Sequence, residues 1–366
     1  MTDDIARFGV FQIFTGDGTG TGFLLRPTVL LTNCHVVAPY RQVAVELRDR
    51  SRVLGTVRRI HPKRDLAIVE IGQPLTEHVL ALSTQDALAP EQSLRILGFP
   101  IGLPLSVTEG VVSNPDQLYD GQRYVQTDAA LNPGNSGGPM LDAGQAVVAV
   151  TTCKVRSADN VGFGIPVADV RTFVDGFGTQ TAPFGVVCPA CDALLESAAR
   201  YCANCGSDLE ELELGLYFEP QDAHPVAAFV ERALASAHID PVLARHGARN
   251  WSFHAGSAPI KIWCCCSEHL CFSSPLATVS KHGLEALFRY LLSPEHAPLA
   301  FDLEDNVIRI NLTFHMSDVF DAAVHGEATA WITRFIADAD RYDNLLLERF
   351  GCTAAPETQL TFLAHG

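Results

Sequence analysis

The chain is 366 residues long, and 47% of its residues are hydrophobic while 19% are charged. That length allows two or three domains with cores of their own, and the composition is typical of globular proteins. The formal net charge of −16 argues against a general nucleic-acid binder, because phosphate contacts need clustered Lys and Arg.

The start of the sequence and its cysteines bear on location. Residues 1–7 have neither the basic nor the apolar region of a secretory signal, and no stretch reaches the roughly 18 uninterrupted apolar residues of a membrane span. We therefore expect a cytoplasmic protein with no membrane partner, whose 11 cysteines are thiols or metal ligands rather than disulfides. Cys34 and Cys153 lie in apolar runs, so both are predicted to be small buried residues.

Short apolar runs separated by turn residues fill the first half of the chain. Runs of this length and spacing are typical of all-β barrels, and two successive sets predict a double barrel. A helix is predicted over 167–174, because Val170, Phe173 and Val174 share one helical face. The predicted strands are 8–14, 22–25, 29–32, 43–47, 53–60, 66–71, 94–99, 105–113, 123–128, 139–142, 146–151 and 161–165.

Three residues suited to nucleophilic catalysis stand at prominent points of this pattern. His35 ends an apolar strand, Asp65 opens an alternating strand, and Ser136 lies in the glycine-rich stretch 127–139. The two barrels would place His35 and Asp65 on the first and Ser136 on the second, with the site in the cleft between them. Their order along the chain is the order of the chymotrypsin triad.

A catalytic serine needs a base and also donors that hold the oxyanion, and the glycines around Ser136 allow such donors. Gly134, Gly137 and Gly138 allow a tight turn in which the N–H groups of Gly134 and Ser136 point at one spot. The alternative is a glycine-rich hairpin with an incidental serine. The presence of His35 and Asp65 favours the catalytic interpretation.

Six blocks in the right order resemble a trypsin-like serine protease domain of the HtrA/Deg branch. The resemblance implies a chymotrypsin-like double barrel in which Ser136 is the nucleophile, His35 is the general base, and Asp65 fixes the imidazole tautomer. It also implies that Gly134 and Ser136 form the oxyanion hole. The six blocks, which precede and follow the serine motif 127–139, are 18–23, 31–37, 65–67, 97–100, 110–113 and 162–166.

The pocket for the substrate side chain follows from the same resemblance. In trypsin-like enzymes its floor residue lies six positions before the serine, which is Ala130 here, and Gly162, Phe163 and Gly164 are its expected wall. Since Ala130 carries no charge, we expect a preference for small or medium aliphatic side chains rather than for Arg or Lys.

Two cysteine pairs follow a predicted linker, 177–185. Cys188 and Cys191 form one C-x-x-C knuckle, and Cys202 and Cys205 form a second one ten residues later. This spacing suits tetrahedral thiolate coordination, so residues 186–208 are predicted to be a zinc ribbon with one structural Zn²⁺ per chain. Two redox-active dithiols are the alternative, but the βαβ pattern that accompanies them is missing.

An HtrA protease would carry a PDZ domain at this point, and we find none in the sequence.

The remaining residues, 222–366, follow a second predicted linker, 209–221. Their periodicity predicts helix, three strands, helix, two strands and helix, which is an α+β sandwich. This order and the stretch 337–345 resemble the YbjN and type III secretion chaperone-like fold. That resemblance implies a protein-binding surface or a dimer, and no chemistry.

A second group of potential metal ligands consists of Cys264, Cys265 and Cys266 together with His269 and Cys271. Because consecutive strand residues point to opposite faces, three adjacent cysteines cannot converge on one ion, and packing within a strand is favoured.

We therefore expect a three-part chain: a protease domain over 1–176, a zinc ribbon and an α+β domain. The predicted function is a serine endopeptidase acting on protein or peptide substrates, with the C-terminal parts recognising substrates or partners or regulating activity. The alternative is a binding or scaffold protein with a degenerate protease domain.

Overall fold

The structure, a computed structural model, describes residues 9–152, 161–219, 224–265 and 268–356. It divides into two compact units, 1–221 and 222–366. No helix in these described ranges is both long and apolar enough to cross a membrane. Cys153 and Cys266, for which packing within a strand was predicted, lie outside the described residues.

The first unit begins with a six-stranded antiparallel barrel. Its strands run in the order β5-β4-β1-β2-β3-β6, and pairing of β5 with β6 closes the ring. Alternating apolar side chains such as Ile13, Leu30 and Val43 fill the interior. The strands are β1 Val10–Phe14, β2 Thr19–Arg26, β3 Val29–Thr32, β4 Gln42–Glu46, β5 Arg52–His61 and β6 Leu66–Ile71.

A second closed barrel follows, and it confirms the predicted double barrel. Its strand order is β10-β11-β12-β9-β8-β7. The helix Val167–Gly178 follows its last strand in the chain. Phe23 and Leu31 of the first barrel share one apolar cluster with Leu97 and Tyr124 of the second, so the two barrels are fixed against each other. The strands are β7 Ser93–Gly98, β8 Ser106–Tyr119, β9 Gln122–Thr127, β10 Pro139–Leu141, β11 Val147–Thr152 and β12 Gly162–Pro166.

The cysteine-rich segment, residues 184–218, is built onto the first barrel. Its strand β13, Gly185–Val187, runs parallel to β5 and pairs with β14, Leu194–Leu195. A 3₁₀ turn at Glu210–Leu212 and a short helix at Gly215–Phe218 end the segment. Strand and helix therefore occupy parts of the stretches 177–185 and 209–221 that the sequence predicts to be linkers. The segment's buried residues in the first barrel's core cluster are Phe184, Val186, Cys188, Leu195, Cys202, Leu209 and Leu214.

The second unit is a sheet with helices packed against it. Its strand order is β15-β16-β17-β19-β18, with β20 beside β17. The last helix ends at Phe350, and its C-cap Gly351 has a φ of +65°, a left-handed conformation that glycine adopts without strain. The strands are β15 Asn250–Ala255, β16 Ala258–Cys265, β17 His269–Thr278, β18 Ala300–Glu304, β19 Val307–His315 and β20 Thr353–Ala354. The helices are Pro225–Ser236, Pro241–Ala244, Leu284–Leu291, Met316–Phe320 and His325–Phe350.

The core of the second unit lies between the sheet and its longest helices. Phe229 from the helix Pro225–Ser236 and Phe335 from the helix His325–Phe350 are buried with Phe272 of β17. The arrangement agrees with the predicted order of helices and strands and adds two short helices and β20.

Candidate active site

His35 and Asp65 form a hydrogen-bonded pair on the first barrel. His35 lies on the short helix Cys34–Val37, directly after β3, and its side chain is 49% exposed. Its Nδ1 lies 2.8 Å from Oδ2 of Asp65, and its backbone N–H donates to Oδ1 at 3.0 Å. The imidazole is thus held with Nδ1 toward the carboxylate, which leaves Nε2 toward the open side.

Asp65 is held from several sides at once. It lies in the turn between β5 and β6 with a φ of +57°, and it is 6% exposed. Thr152 Oγ1 donates to Oδ2 at 2.9 Å, and the Asn33 side chain donates to the Asp65 carbonyl at 2.8 Å. A buried carboxylate needs such partners, and Thr152, on the second barrel, is one that sequence reasoning missed.

Ser136 is buried in a tight turn of the second barrel. Gly134 and Gly137, on either side of it, have φ of +99° and +83°, values that only glycine adopts without strain. Thr21 of β2 contacts this turn through two hydrogen bonds: its N–H donates to the Ser136 carbonyl at 2.8 Å, and its Oγ1 donates to the Gly134 carbonyl at 2.6 Å. A Cβ on Gly137 would lie 2.3 Å from Thr32 Oγ1, so the turn lies directly against the end of β3 that leads to His35.

Ile101 sets the orientation of the peptide between Pro133 and Gly134. The Pro133 carbonyl accepts a hydrogen bond from the Ile101 N–H at 2.7 Å. Because C=O and N–H of a trans peptide point in opposite directions, the Gly134 N–H points away from Ile101. Within the described residues, neither the Gly134 N–H nor the Ser136 N–H donates a hydrogen bond. Both donors are therefore left for a substrate oxygen.

A family comparison agrees with this geometry. Residues 20–150 match the model of the trypsin-like peptidase domain. Residues 20–150 are thus similar to a trypsin-like peptidase domain, and this region is called the peptidase domain below.

Known relatives of the peptidase domain are serine proteases. HhoB of Synechocystis sp. is 36% identical over 174 residues, which are 44% of this chain and 41% of that protein. The serine protease HTRA1B of Danio rerio is 31% identical over 179 residues, 47% of this chain and 37% of that protein. The chain spans about two fifths of the length of the curated relatives it matches. A solved structure, the HtrA-type protease AlgW with tripeptide, covers 49% of this chain and 62% of that chain at 27% identity, with a TM-score of 0.44.

The predicted hydrogen bond between His35 and Ser136 is not formed in the part of the chain that the structure describes. Within the described residues, His35 is bonded to Asp65 but has no hydrogen bond to Ser136. Catalytic hydrogen bonds are often long without substrate and tighten when it binds. The structure thus brings the predicted triad residues to neighbouring loops, with one of the two expected bonds formed.

The residues predicted to form the substrate pocket differ in exposure and contacts. Ala130 is exposed, and a Cβ on Gly162 would lie 2.5 Å from Leu131 Cδ1. Phe163 is 4% exposed and its ring stacks on Tyr119 at 5.5 Å between ring centroids, so its side chain belongs to the barrel core. Leu131 therefore restricts the space beside Gly162, a role that its position directly after Ala130 could have suggested.

The four cysteines of the two knuckles converge on one point, and within the described residues they are the one such group. The sulfurs of Cys188 and Cys205 lie 3.9 Å apart, and those of Cys191 and Cys202 lie 3.8 Å apart. Four sulfurs about 2.3 Å from a tetrahedral Zn²⁺ lie about 3.8 Å apart, whereas a disulfide needs about 2.05 Å. The four residues therefore fit a metal ion. Hydrogen bonds from Ser207 lower the pKa of Cys205 to about 6, which favours its thiolate.

The second group of cysteines does not converge. Cys264 packs against the core of the second unit, whereas its neighbour Cys265 is exposed on the other face of β16. In the part of the chain that the structure describes, this group forms no candidate metal cluster with His269 or Cys271.

Proposed function

We propose that the chain is a serine endopeptidase that hydrolyses peptide bonds through an acyl-enzyme on Ser136. The observation that carries the proposal is the bond from His35 to a buried Asp65, set beside a serine turn with two unused backbone donors. A serine nucleophile needs both a positioned base and oxyanion donors. The trypsin-like peptidase domain and the serine proteases among its relatives support the proposal.

The mechanism follows from the positions of these groups. His35 Nε2 takes the proton of the Ser136 hydroxyl while Oγ bonds to the substrate carbonyl carbon, and the oxyanion accepts hydrogen bonds from Gly134 and Ser136 N–H. The C–N bond then breaks, and the amine leaves with the proton that His35 returns. Water repeats the sequence on the acyl-enzyme and releases the acid, while Asp65 stabilises the imidazolium in both halves.

The second candidate is a binding protein with an inactive peptidase domain, and the unformed His35–Ser136 bond is the observation that favours it. Hydrolysis of a casein or peptide-library substrate separates the two functions. We expect cleavage by the full chain that is lost in Ser136→Ala and in His35→Ala. Equal cleavage by Ser136→Ala would show a contaminant, and no cleavage by correctly folded wild-type protein would support the binding function.

We propose a preference for small or medium aliphatic side chains before the cleaved bond. Ala130 brings no charge to the pocket, and Leu131 narrows it beside Gly162. Profiling with a peptide library should show this preference, and Leu131→Ala should extend it to larger side chains. Dominant cleavage after Arg or Lys would contradict the assignment.

We also propose that Cys188, Cys191, Cys202 and Cys205 hold one structural Zn²⁺. Four thiolates leave no open coordination position, so the ion would stabilise the knuckles and take no part in hydrolysis. Elemental analysis of the purified chain should give one zinc per chain, reduced in Cys205→Ser. Two ions per chain would point to a further site near Cys265 and Cys271.

For the C-terminal unit, 222–366, we propose recognition of a protein partner or dimerisation, supported by its resemblance in element order to chaperone-like domains. A cytoplasmic location remains a prediction. Light scattering during gel filtration would test dimerisation: a monomer mass over a broad concentration range would exclude it.

A further inference from the structure

An ion pair connects the first cysteine knuckle to the turn between β5 and β6. This turn carries Asp65 and is called the catalytic turn below. Asp192 directly follows Cys191, and its carboxylate faces the guanidinium of Arg64, with Nη1–Oδ1 at 3.0 Å and a hydrogen bond from Nη2 to Oδ2 at 3.3 Å. Arg64 is the residue directly before Asp65. Asp192 therefore adjoins the group of four cysteines, called the cysteine centre here, and Arg64 belongs to the turn that carries the Asp65 carboxylate.

Asp192 is held in place by the knuckle itself. It has a φ of +59°, and its N–H donates to the Cys188 carbonyl at 3.0 Å. That bond closes the turn between the first two sulfur ligands and places the Asp192 side chain toward Arg64. The Cys188 N–H donates to the Ala193 carbonyl at 2.9 Å and β13 pairs with β14, so the backbone also holds this turn. The 3.8 Å approach of the Cys191 and Cys202 sulfurs links the turn to the second knuckle.

Arg64 is held at further points near the start of the turn. Its N–H donates to Nδ1 of the buried His61 at 3.2 Å, and its Nε lies 3.5 Å from Asp169 at the start of the helix Val167–Gly178. The strand pairing of β13 with β5 places Val186 opposite Ile60, immediately before His61. The knuckle, the second barrel's helix and the catalytic turn thus meet at one arginine.

We propose that Asp192 is a positioning residue for the catalytic site: through Arg64 it fixes the turn that presents Asp65 to His35, and the first cysteine knuckle, stabilised by its metal, holds Asp192 in place. The inference rests on the proposed peptidase function. It makes the cysteine centre part of the active-site support, so loss of its metal lowers activity without changing any residue that touches substrate.

The test compares Asp192→Ala with Glu210→Gln in the full chain. Glu210 forms an exposed ion pair with Arg200, Nη2–Oε2 at 3.1 Å, which lies within the same cysteine-rich segment and does not contact the catalytic turn. We expect Asp192→Ala to retain zinc but to react with a fluorophosphonate probe about tenfold or more slowly, with kcat reduced and KM little changed. Asp192→Glu should recover part of the rate, and Glu210→Gln should behave as the wild-type protein.

Two readouts do not depend on turnover. The far-downfield proton signal of the His35–Asp65 bond should weaken in Asp192→Ala, and amide hydrogen exchange over residues 61–66 should accelerate in this variant and in protein stripped of metal by a chelator. If wild-type protein reacts with the probe and Asp192→Ala reacts equally fast with unchanged exchange, the inference is wrong. If the wild-type protein does not react at all, the proposed function fails instead. If Asp192→Ala loses its zinc, Arg64→Gln decides: a normal rate and normal exchange in a zinc-loaded Arg64→Gln would also overturn the inference.

Discussion

Replacement of Gly134 by alanine should disable the oxyanion hole while leaving the triad residues in place. The added Cβ would lie 2.2 Å from the Phe99 carbonyl oxygen, and a contact of at least 3.0 Å requires a displacement of about 0.8 Å. The φ of +99° adds about 1–3 kcal/mol of backbone strain for any residue other than glycine. A displacement of this size misaligns the Gly134 N–H, and loss of one oxyanion donor lowers kcat about 10²–10³-fold, or about 2.7–4 kcal/mol.

Gly121→Ala is the matched control for this substitution. Gly121 has a φ of +69°, but a Cβ there meets no atom within 4 Å, so the variant carries backbone strain without a clash. The assay measures the rate of fluorophosphonate labelling, kcat on a peptide substrate and the melting temperature of each variant. Both variants should have a lower melting temperature than the wild-type protein, and only Gly134→Ala should be labelled slowly by the fluorophosphonate probe. Labelling of folded Gly134→Ala at the wild-type rate would refute the assignment of the oxyanion hole.

Three further predictions follow from buried groups. Thr152→Val removes a 2.9 Å hydrogen bond to Asp65, so it should cost about 1.5–3 kcal/mol in chemical denaturation and slow labelling; unchanged values would show that the bond is unimportant. Burial and the nearby Arg64 lower the pKa of His61 to about 4 in the folded protein. As pH falls, His61 is therefore protonated in the unfolded chain before it is protonated in the folded one. Stability should therefore fall by up to about 3 kcal/mol between about pH 6.5 and 4, and His61→Asn should flatten that part of the profile. Phe335→Ala, in the core of the second unit, should destabilise that unit by about 3–5 kcal/mol in urea unfolding without slowing labelling, and an unaltered transition would contradict the assigned core.

Much of the fold could be predicted because its signals are local. The mostly apolar runs of β3 and β6 mark strands that are buried in the barrel, and glycines at Gly134 and Gly137 mark a turn that other residues would strain. Two strands continue through a proline, and β8 runs beyond residue 113, where the sequence predicts its end. β8 passes Pro115 and β17 passes Pro275 by irregularities in strand register, which the rule that proline ends a strand does not anticipate.

The parts that could not be predicted depend on contacts between distant residues. Pairing of β13 with β5 joins residues more than a hundred positions apart, and three-residue β13 carries no pattern that names its partner. The same holds for the Ile101 N–H that orients the Pro133 carbonyl and for Asp192 opposite Arg64. These contacts support the candidate site, whereas the triad residues themselves are recognisable from the residues around them.

The most direct test of the central claim is reaction of the purified full-length chain with a fluorophosphonate probe, followed by mapping of the adduct by mass spectrometry. We predict one adduct per chain on Ser136, and none in Ser136→Ala. An adduct on a different residue, or no adduct on folded protein under conditions where a known serine protease reacts fully, would contradict the account.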